Sequence, residues 1–594
     1  MLKGKFSEVL INNTLPEEYR VKNGPITTKS IKSSMVKLAK NSPSQYSLVA
    51  PKLKKIGDEF ATYEGITVGL DDIEPEYAKR DKILEEADKE IRKHPFGSPK
   101  AIDALIVAQG KILDITKQHP GDMAMQARAG SRGNMTQLMK SVASPVVVGD
   151  FKGNPVPFLI KRSYAEGLSP MEAWIAGDES RAQVIKGQLG TAEPGEMQKI
   201  LSTVMSPAVI SDADCGTDNG IRIKADDPSL EGRYEAKSGN YIDATKAASL
   251  AAKGGYILVR SPMTCELDKG VCQKCMGRGI QGRDYTIGEN VGVRAAQAMS
   301  EPLTQLQLSA KHGVSLVKGD ANKPRGLKAF KQFVEIPKNF FFKAPIANVS
   351  GKITKVEKAP QGGHDIYVDS VHHYIPPGRD ISVKKGDEVE AGDTLANGIP
   401  APDEVLKHKG IGAGREYLVK SLRSTYEDSG VKIDQRNLEL LAKTQLNYVK
   451  VTNPVGDLME EDIVPLSEVT RQIRNTGKDH QLNNNVIGKI LTKPIFEHPI
   501  GTVITKRLLE DIQDKGASFV QVADRAPLMK PIMTSASRTP LLNPNWMQRL
   551  GYRYQKDTLR DAATYGQKAD IHGYDPMAAI AYGKEVTRGP KGEY

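Results

Sequence analysis

Sulfur and large aromatic rings are scarce in this chain. Its 594 residues include four cysteines and two tryptophans, and aromatic residues make up 6%. Four thiols cannot staple a chain of this length, which excludes a disulfide-dense secreted scaffold. No run of roughly eighteen apolar residues occurs, so no membrane-spanning helix is expected. The opening MLKGKFSEVLINN lacks the apolar core of a secretory signal. The expected setting is a reducing cytoplasm, where clustered cysteines bind metal more often than they pair. There is no HExxH, and no GxxxxGK followed by Ser or Thr. GIGAGR at 410–415 lacks the full dinucleotide fingerprint and follows no clear strand. Zinc-protease and P-loop chemistry are therefore unsupported.

What is abundant is charge. Lys and Arg number 83 against 72 Asp and Glu, a net charge of +11. A basic excess on a large chain favours a polyanionic partner, because neutralising phosphates releases counterions. The length demands several modules, since single cores stop growing well short of it. Residues 1–65 read as short helical pieces broken by KNGP and NSPS. EYAKRDKILEEADKEIRKH places acidic residues three or four positions from basic ones, the pattern of an exposed helix. The turn PFGSPK leads to a second helix near Ala101–Gln118, making an antiparallel pair. GVRAAQAMS, near Gly292, also reads as helix. From about Ala347 the period changes to short alternating strands with Gly and Pro turns, the pattern of a small β-barrel or sandwich. Helices return near Gly414–Glu427 and Arg436–Tyr448. No array repeat is evident, and the tail after Arg588 is expected to be disordered. The fold class is α+β and multi-modular.

Three of the four cysteines crowd into TCELDKGVCQKCMGRG. Cys265, Cys272 and Cys275 offer three thiolates, and Cys215 in DADCGTDNG is the remaining candidate. Four cysteines around one Zn²⁺ leave no open position, so the site reads as structural. A dithiol switch at CQKC needs a βα setting and does not explain the other two cysteines. His372 and His373 are neighbours on a strand, point to opposite faces, and read as surface histidines. Asp212, Asp214 and Asp218 do not make an EF-hand, because Gly216 falls on the fifth position and the closing Glu is missing. Asp71 and Asp72 read as a helix-entry pair.

The segment VRSPMTCELDKGVCQKCMGRG, followed by GENVGVRAAQAMSEPLTQLQLSAKHG, closely resembles the largest (β′) subunit of multisubunit DNA-dependent RNA polymerases. In that family a zinc-binding cysteine cluster precedes GEAVGVIAAQSIGEPGTQL and then the trigger loop. GDESRAQVIKGQLGTAEPGEMQKIL resembles the bridge helix, RAGSRGNMTQL the F loop, and ITVGLDDI the entry to the rim helices. GLKAFKQFVEIP resembles the returning trigger helix. SGKITKV, YIPPGRDISVKKGDEVEAGD and the stretch from PAPDEVLKHKG to LELLAKTQL resemble modules near the C-terminal end of β′. The resemblance covers nearly the whole chain and is weakest in residues 1–60 and 480–535. The family's magnesium motif, NADFDGD, is absent, and the bridge-helix GARKG reads ESRAQ here. The chain thus looks like the C-terminal part of a split β′. Its short connection between His312 and Gly326 is similar to the compact subunits of large bacteriophages.

The resemblance implies an order of modules. An N-terminal helical segment (1–65) precedes a rim-helix pair (66–120), an F-loop region (121–160) and a bridge-helix region (161–211). A zinc module (212–285), trigger-loop helices (286–337), a β-module with helices (338–480) and a clamp or assembly region (481–594) follow. Thr191 and Ala192 would lie beside the templating base pair. Gln305, Leu308 and His312 would face the incoming nucleotide, Leu308 stacking on the base and His312 approaching the β-phosphate. Arg132 and Arg181 would contact nucleic acid. Zinc would be structural, and magnesium would come from an N-terminal β′ chain carrying the aspartates. The other implied partners are β-like subunits, a promoter-specificity factor, DNA template, RNA and nucleoside triphosphates, with no membrane. The place of action would be the bacterial cytoplasm, in an infected cell for a phage subunit, or the virion. A second reading is a non-catalytic zinc-containing nucleic-acid-binding or structural protein. A third, zinc as a catalytic Lewis acid, is disfavoured by the closed ligand set.

Overall fold

The computed structural model describes residues 6–583 apart from 23–25, 64, 66, 76, 151–153, 189, 191, 280–281, 310–325, 475, 525–527, 551–552 and 570–582. The tail after Arg588 lies outside the described residues. Among the described residues two compact units emerge, one from residues before 192 together with 307–309, the other from 192–306 and from 326 onward.

The first unit is helical. Helices Thr28–Asn41 and Pro43–Tyr63 pack around Leu15, Tyr19, Leu38 and Val49. The charged stretch forms helix Tyr77–Ile91, and its partner is helix Pro99–Thr116. The partner starts cleanly because Ser98 caps the Ala101 amide and Pro99 occupies the first turn. Leu84 and Ala87 meet Leu105, Ala108 and Ile112, with Leu138, Met139 and Val142 of helix Met135–Val142 closing the core. Asp72 accepts from the Gly69 and Met123 amides at 2.9 and 3.3 Å, and those bonds hold its carboxyl below the usual range despite burial. It is a turn-capping residue, as the helix-entry reading expected. Glu172 gathers the Lys161, Arg162 and Ser169 amides at the start of helix Pro170–Gln188.

The second unit opens with helix Ala192–Met205, buried through Met197, Leu201 and Met205. Strand Ile210–Asp212 runs parallel to Val271–Cys272, and Ile221–Lys224 pairs antiparallel with Tyr256–Val259. Helix Val291–Ser309 starts at Asn290, whose side chain caps the Val293 amide. A Cβ on Gly292 would sit 1.8 Å from the Met205 carbonyl oxygen, so only glycine allows this helix crossing. Helix Gly326–Glu335 places Phe330 edge-on to Tyr426.

The expected small β-module is a four-stranded antiparallel half-barrel sheet. Its strand order is Val371–Ile375, His364–Val368, Gly351–Lys358, Glu388–Val389, over a core of Ile353, Ile366, Val368 and Ile375. Of the two adjacent histidines only His372 is a surface residue. His373 is buried, and Nε2 accepts from the Asn348 amide at 2.9 Å. The strand faces were read correctly, but one of them covers the sheet's core. The helix expected near Gly414 begins earlier, at Pro402, and bends at Gly410 where φ is 84°. GIGAGR therefore lies within a helix. A Cβ on Gly412 would meet the Glu497 carbonyl oxygen at 2.6 Å, so the glycine serves close packing.

The C-terminal part forms no array but holds a duplicated motif. The hydrogen bonds from Val451 to Asp462 (2.8 Å) and Glu461 to Val451 (2.9 Å) recur forty positions on, from Leu491 to Thr502 (2.9 Å) and Gly501 to Leu491 (2.7 Å). The reciprocal bridge Val455–Leu458 recurs as Ile495–His498. Positive φ recurs at Gly456 and Phe496, and at Glu461 and Gly501. Each copy then enters a helix, Leu466–Ile473 or Lys506–Asp514. VTNPVGDLMEEDIVPLSEV and LTKPIFEHPIGTVITKRLL share little beyond Thr, Pro and apolar spacing, which hid the repeat. The second copy is nested in the first. It builds its own sheet (order Lys478–Gln481, Phe519–Ala523, Ile490–Leu491) and its own core before strand Met529–Ile532 returns to pair with Tyr448–Val451.

Candidate metal centre and the segments around it

The four cysteines converge. Their sulfurs lie within 4.8 Å of one another, with Cys215 and Cys275 3.6 Å apart. A Zn²⁺ with bonds of about 2.3 Å requires sulfurs about 3.8 Å apart, so the donor set fits a tetrahedral ion. Cys215 comes from the loop after Ile210–Asp212, and Cys265 follows the turn Pro262–Thr264. Cys272 ends strand Val271–Cys272, and Cys275 sits in the single turn of helix that follows. The Cys272 amide points at the Cys265 sulfur (3.4 Å), and the Cys275 amide at Cys272 (3.3 Å). Such backbone donors stabilise thiolates.

The thiols divide in pairs. Cys265 is held well below its ordinary value by donation from Cys215, Cys272 and Cys275. Cys215 is pushed up by Cys265, but Cys272 and Cys275 outweigh that and bring it to about 6. Contacts with Cys215 and Cys265 push Cys272 and Cys275 up, and burial adds to the rise. The guanidinium of Arg260 lies 3.4 Å from both Cys275 and Cys215, and is itself anchored by Asp214 and the Thr217 carbonyl. A negatively charged, buried sulfur cluster with an arginine beside it is the chemistry of a closed structural site.

Helix Gln435–Gln445 locks onto this module. Arg233 and Glu439 form a fully buried bidentate pair (2.9 and 2.6 Å), to which Ser261 adds a bond at 2.7 Å. Lys443 donates to the Cys265 carbonyl at 3.1 Å. Arg436 reaches the carbonyls of Gly232, Met276 and Arg278, while beside it Asp434 is held below the usual range by that arginine against the upward push of burial. Buried Arg415 has only carbonyl acceptors, Leu446 and Met263, and burial lowers it to about 10. None of these arginines stands out in the sequence, because their acceptors are distant in the chain.

The other expected site residues are not gathered into one described constellation. His312 and Thr191 lie outside the described residues, as does the side chain of Leu308. Gln305 is exposed on helix Val291–Ser309 and donates to Glu301 at 3.3 Å. Ala192 is exposed at the first position of its helix. Arg181 is exposed on helix Pro170–Gln188 and pairs with Asp178 at 2.6 Å. Arg132 is exposed between helices Asp122–Ala129 and Met135–Val142. The segment aligned with one bridge helix is described as two helices, Pro170–Gln188 and Ala192–Met205.

The family described as RNA polymerase Rpb1, domain 5, matches residues 167–462, a stretch that holds all four cysteines and both of those helices. The chain belongs to the β′ family of RNA polymerase subunits. It is 28% identical to the DNA-directed RNA polymerase subunit beta′ of Thermobifida fusca, over 99% of this chain and 46% of that protein. Against the same subunit of Acidothermus cellulolyticus the identity is 27%, over 99% and 45%. Against that of Moorella thermoacetica it is 28%, over 77% and 42%. This β′-family chain thus spans less than half the length of these relatives. Among the described residues, no helix is long and apolar enough to cross a membrane.

Proposed function

We propose that this chain is the C-terminal part of a β′ subunit and supplies the bridge helix and trigger loop to a multisubunit DNA-directed RNA polymerase. The observation that carries the reading is the family match over 167–462, a range that takes in the bridge-like helices, the cysteine centre and the trigger-like segment. The relatives bear the name DNA-directed RNA polymerase, a nucleotidyltransferase, and the reaction here would be templated addition of nucleotides to RNA.

In this reading Thr191 and Ala192 pack against the templating pair, where small side chains leave the pair undisturbed. Leu308 covers the incoming base, and Gln305 lies on the same helix face. His312 places a donor or cation at the pyrophosphate leaving group, which stabilises developing charge. Proton donation by His312 is worth about 10²–10⁴-fold in typical enzymes. Ser309 stands where bacterial subunits carry arginine and cannot make a bidentate phosphate contact. On a continuous helix Lys311 would point about 100° away from its neighbour and would be a poorer substitute. Arg132 and Arg181 contact nucleic acid. The cysteine centre holds zinc in the segment between the bridge-like helix Ala192–Met205 and the trigger-like helix Val291–Ser309. The aspartate motif that binds magnesium in the family does not occur in this sequence, and that ion would be held by residues outside it.

Exposed apolar surface on helix Pro170–Gln188 supports a subunit role. Met171, Trp174 and Ile185 are 61, 73 and 58% exposed. At 100° per residue they fall, with Arg181, within about 80° of each other. Apolar side chains lined up on an exposed helix mark a surface that a partner covers.

The test is reconstitution. Mixed with a chain that carries the aspartates and with β-like subunits, this chain should restore templated RNA synthesis. Synthesis that does not require it would favour a non-catalytic zinc protein.

A further inference from the structure

A second cluster of metal-ligating side chains lies in the nested copy of the repeat. Glu497, His498 and Asp511 bring their ligand atoms within 4.8 Å of one another. His498 Nε2 is 3.5 Å from the Glu497 carboxylate and 3.6 Å from that of Asp511. A tetrahedral ion with bonds of about 2.1 Å sets its donors about 3.4 Å apart, close to both distances from the imidazole.

Three observations set this cluster apart from an ordinary surface ion pair. His498 is 4% exposed, and neither ring nitrogen has a hydrogen-bond partner among the described residues. A buried imidazole without partners carries a real desolvation cost. In the first copy of the motif the equivalent position is Leu458, an apolar side chain packed on the main core. The fold therefore accepts leucine there, and the imidazole is not needed for packing. Finally, Lys515 places its ammonium on both carboxylates, 2.6 Å from Asp511 and in contact with Glu497. A cation already sits against the pair of oxygens that a metal would use.

The cluster borders a cleft, with both ring nitrogens of His498 buried. Glu497 and His498 line this cleft of about 700 Å³, whose other walls include Cys265, Glu266 and Arg415. Asn219, from the loop that carries Cys215, donates to the Phe496 carbonyl at 2.7 Å, so the cysteine module also fixes the approach to the cluster.

We propose that Glu497, His498 and Asp511 form a second metal site, taking a zinc-type divalent ion through two carboxylates and one imidazole, in competition with the Lys515 ammonium. Three protein ligands leave the fourth position to solvent from the cleft, unlike the closed cysteine site. On binding, Lys515 gives up the carboxylates and turns toward the Phe496 ring, whose centroid is 5.9 Å from its nitrogen.

The experiment is a Co²⁺ titration of the full chain, read by absorption and by bound metal per chain. Thiolate-bound Co²⁺ shows strong sulfur-to-metal charge transfer; an ion on oxygen and nitrogen does not. We expect a second equivalent without that band. His498→Leu, which copies the first repeat, and Asp511→Asn should each abolish it and leave the sulfur band intact. Lys515→Met should tighten it by about tenfold or more, because a competing cation is gone. A merely structural ion-pair cluster would show no such tightening. A single equivalent in both the native chain and Lys515→Met would overturn the proposal. So would a second equivalent that survives His498→Leu and Asp511→Asn, an adventitious ion only.

Discussion

The cysteine module and helix Pro170–Gln188 belong to the same matched stretch of chain, yet they complete their packing differently. Around the sulfurs, Arg233, Arg260, Arg415 and Arg436 are all buried, and each has its acceptors within the chain. On the helix, Met171, Trp174, Val184 and Ile185 stand exposed. One region is finished by its own sequence; the other presents a face for something else to finish. In the proposed subunit reading, the anchor is internal and the working surface is shared.

Breaking the finished region should have the largest effect. Cys275→Ser removes one of four ligands, and closed zinc sites contribute roughly 10 kcal/mol of folding free energy. Metal at the cysteine site should be lost and cooperative melting of the module should disappear. A variant that keeps its metal and its transition would refute the structural role of the site. Next comes Glu439→Gln, which leaves the Arg233 charge buried without its counter-ion and should cost about 3–5 kcal/mol in denaturant unfolding.

The exposed face should behave in the opposite way. Trp174→Ala is expected to shift stability by less than about 0.5 kcal/mol. It should nevertheless weaken assembly with the partner chains by about tenfold or more, since buried Trp is a frequent anchor of interfaces. Unchanged assembly would mean that this face stays uncovered.

The smallest effect concerns pH. Burial holds His373 below its ordinary value of 6.5, and protonation would break its bond from the Asn348 amide. The folded state then binds fewer protons than the unfolded one. Stability is present above pH 6.5 and is lost as pH falls through the lowered folded value. Thermal melts from pH 8 to 5.5 should show that decline in the native chain and a flatter profile in His373→Gln.

Much of this was legible in the sequence, for identifiable reasons. The Cys-x2-Cys turn and its two companions specify a local geometry, so the ligand set followed from residue type and spacing. The charged helix 77–91 announced itself through its spaced pairs. The nested repeat did not, because two copies of a turn-rich motif need share only a few Thr, Pro and apolar positions to adopt one backbone. His373 was misjudged because alternation shows that two faces exist but not which one is covered. Arg233, Arg415 and Arg436 were missed because their acceptors are far away in sequence. The cluster at Glu497, His498 and Asp511 was missed because a helix brings Asp511 back to its neighbours.

The central claim is that this chain handles the incoming nucleotide in a polymerase. The most direct test is the rate of single-nucleotide addition by the assembled complex, comparing the native chain, Lys311→Ala and His312→Ala. The account predicts a loss of about 10²–10⁴-fold for His312→Ala and a smaller loss for Lys311→Ala. A His312→Ala complex that assembles and adds nucleotides at the native rate would contradict it.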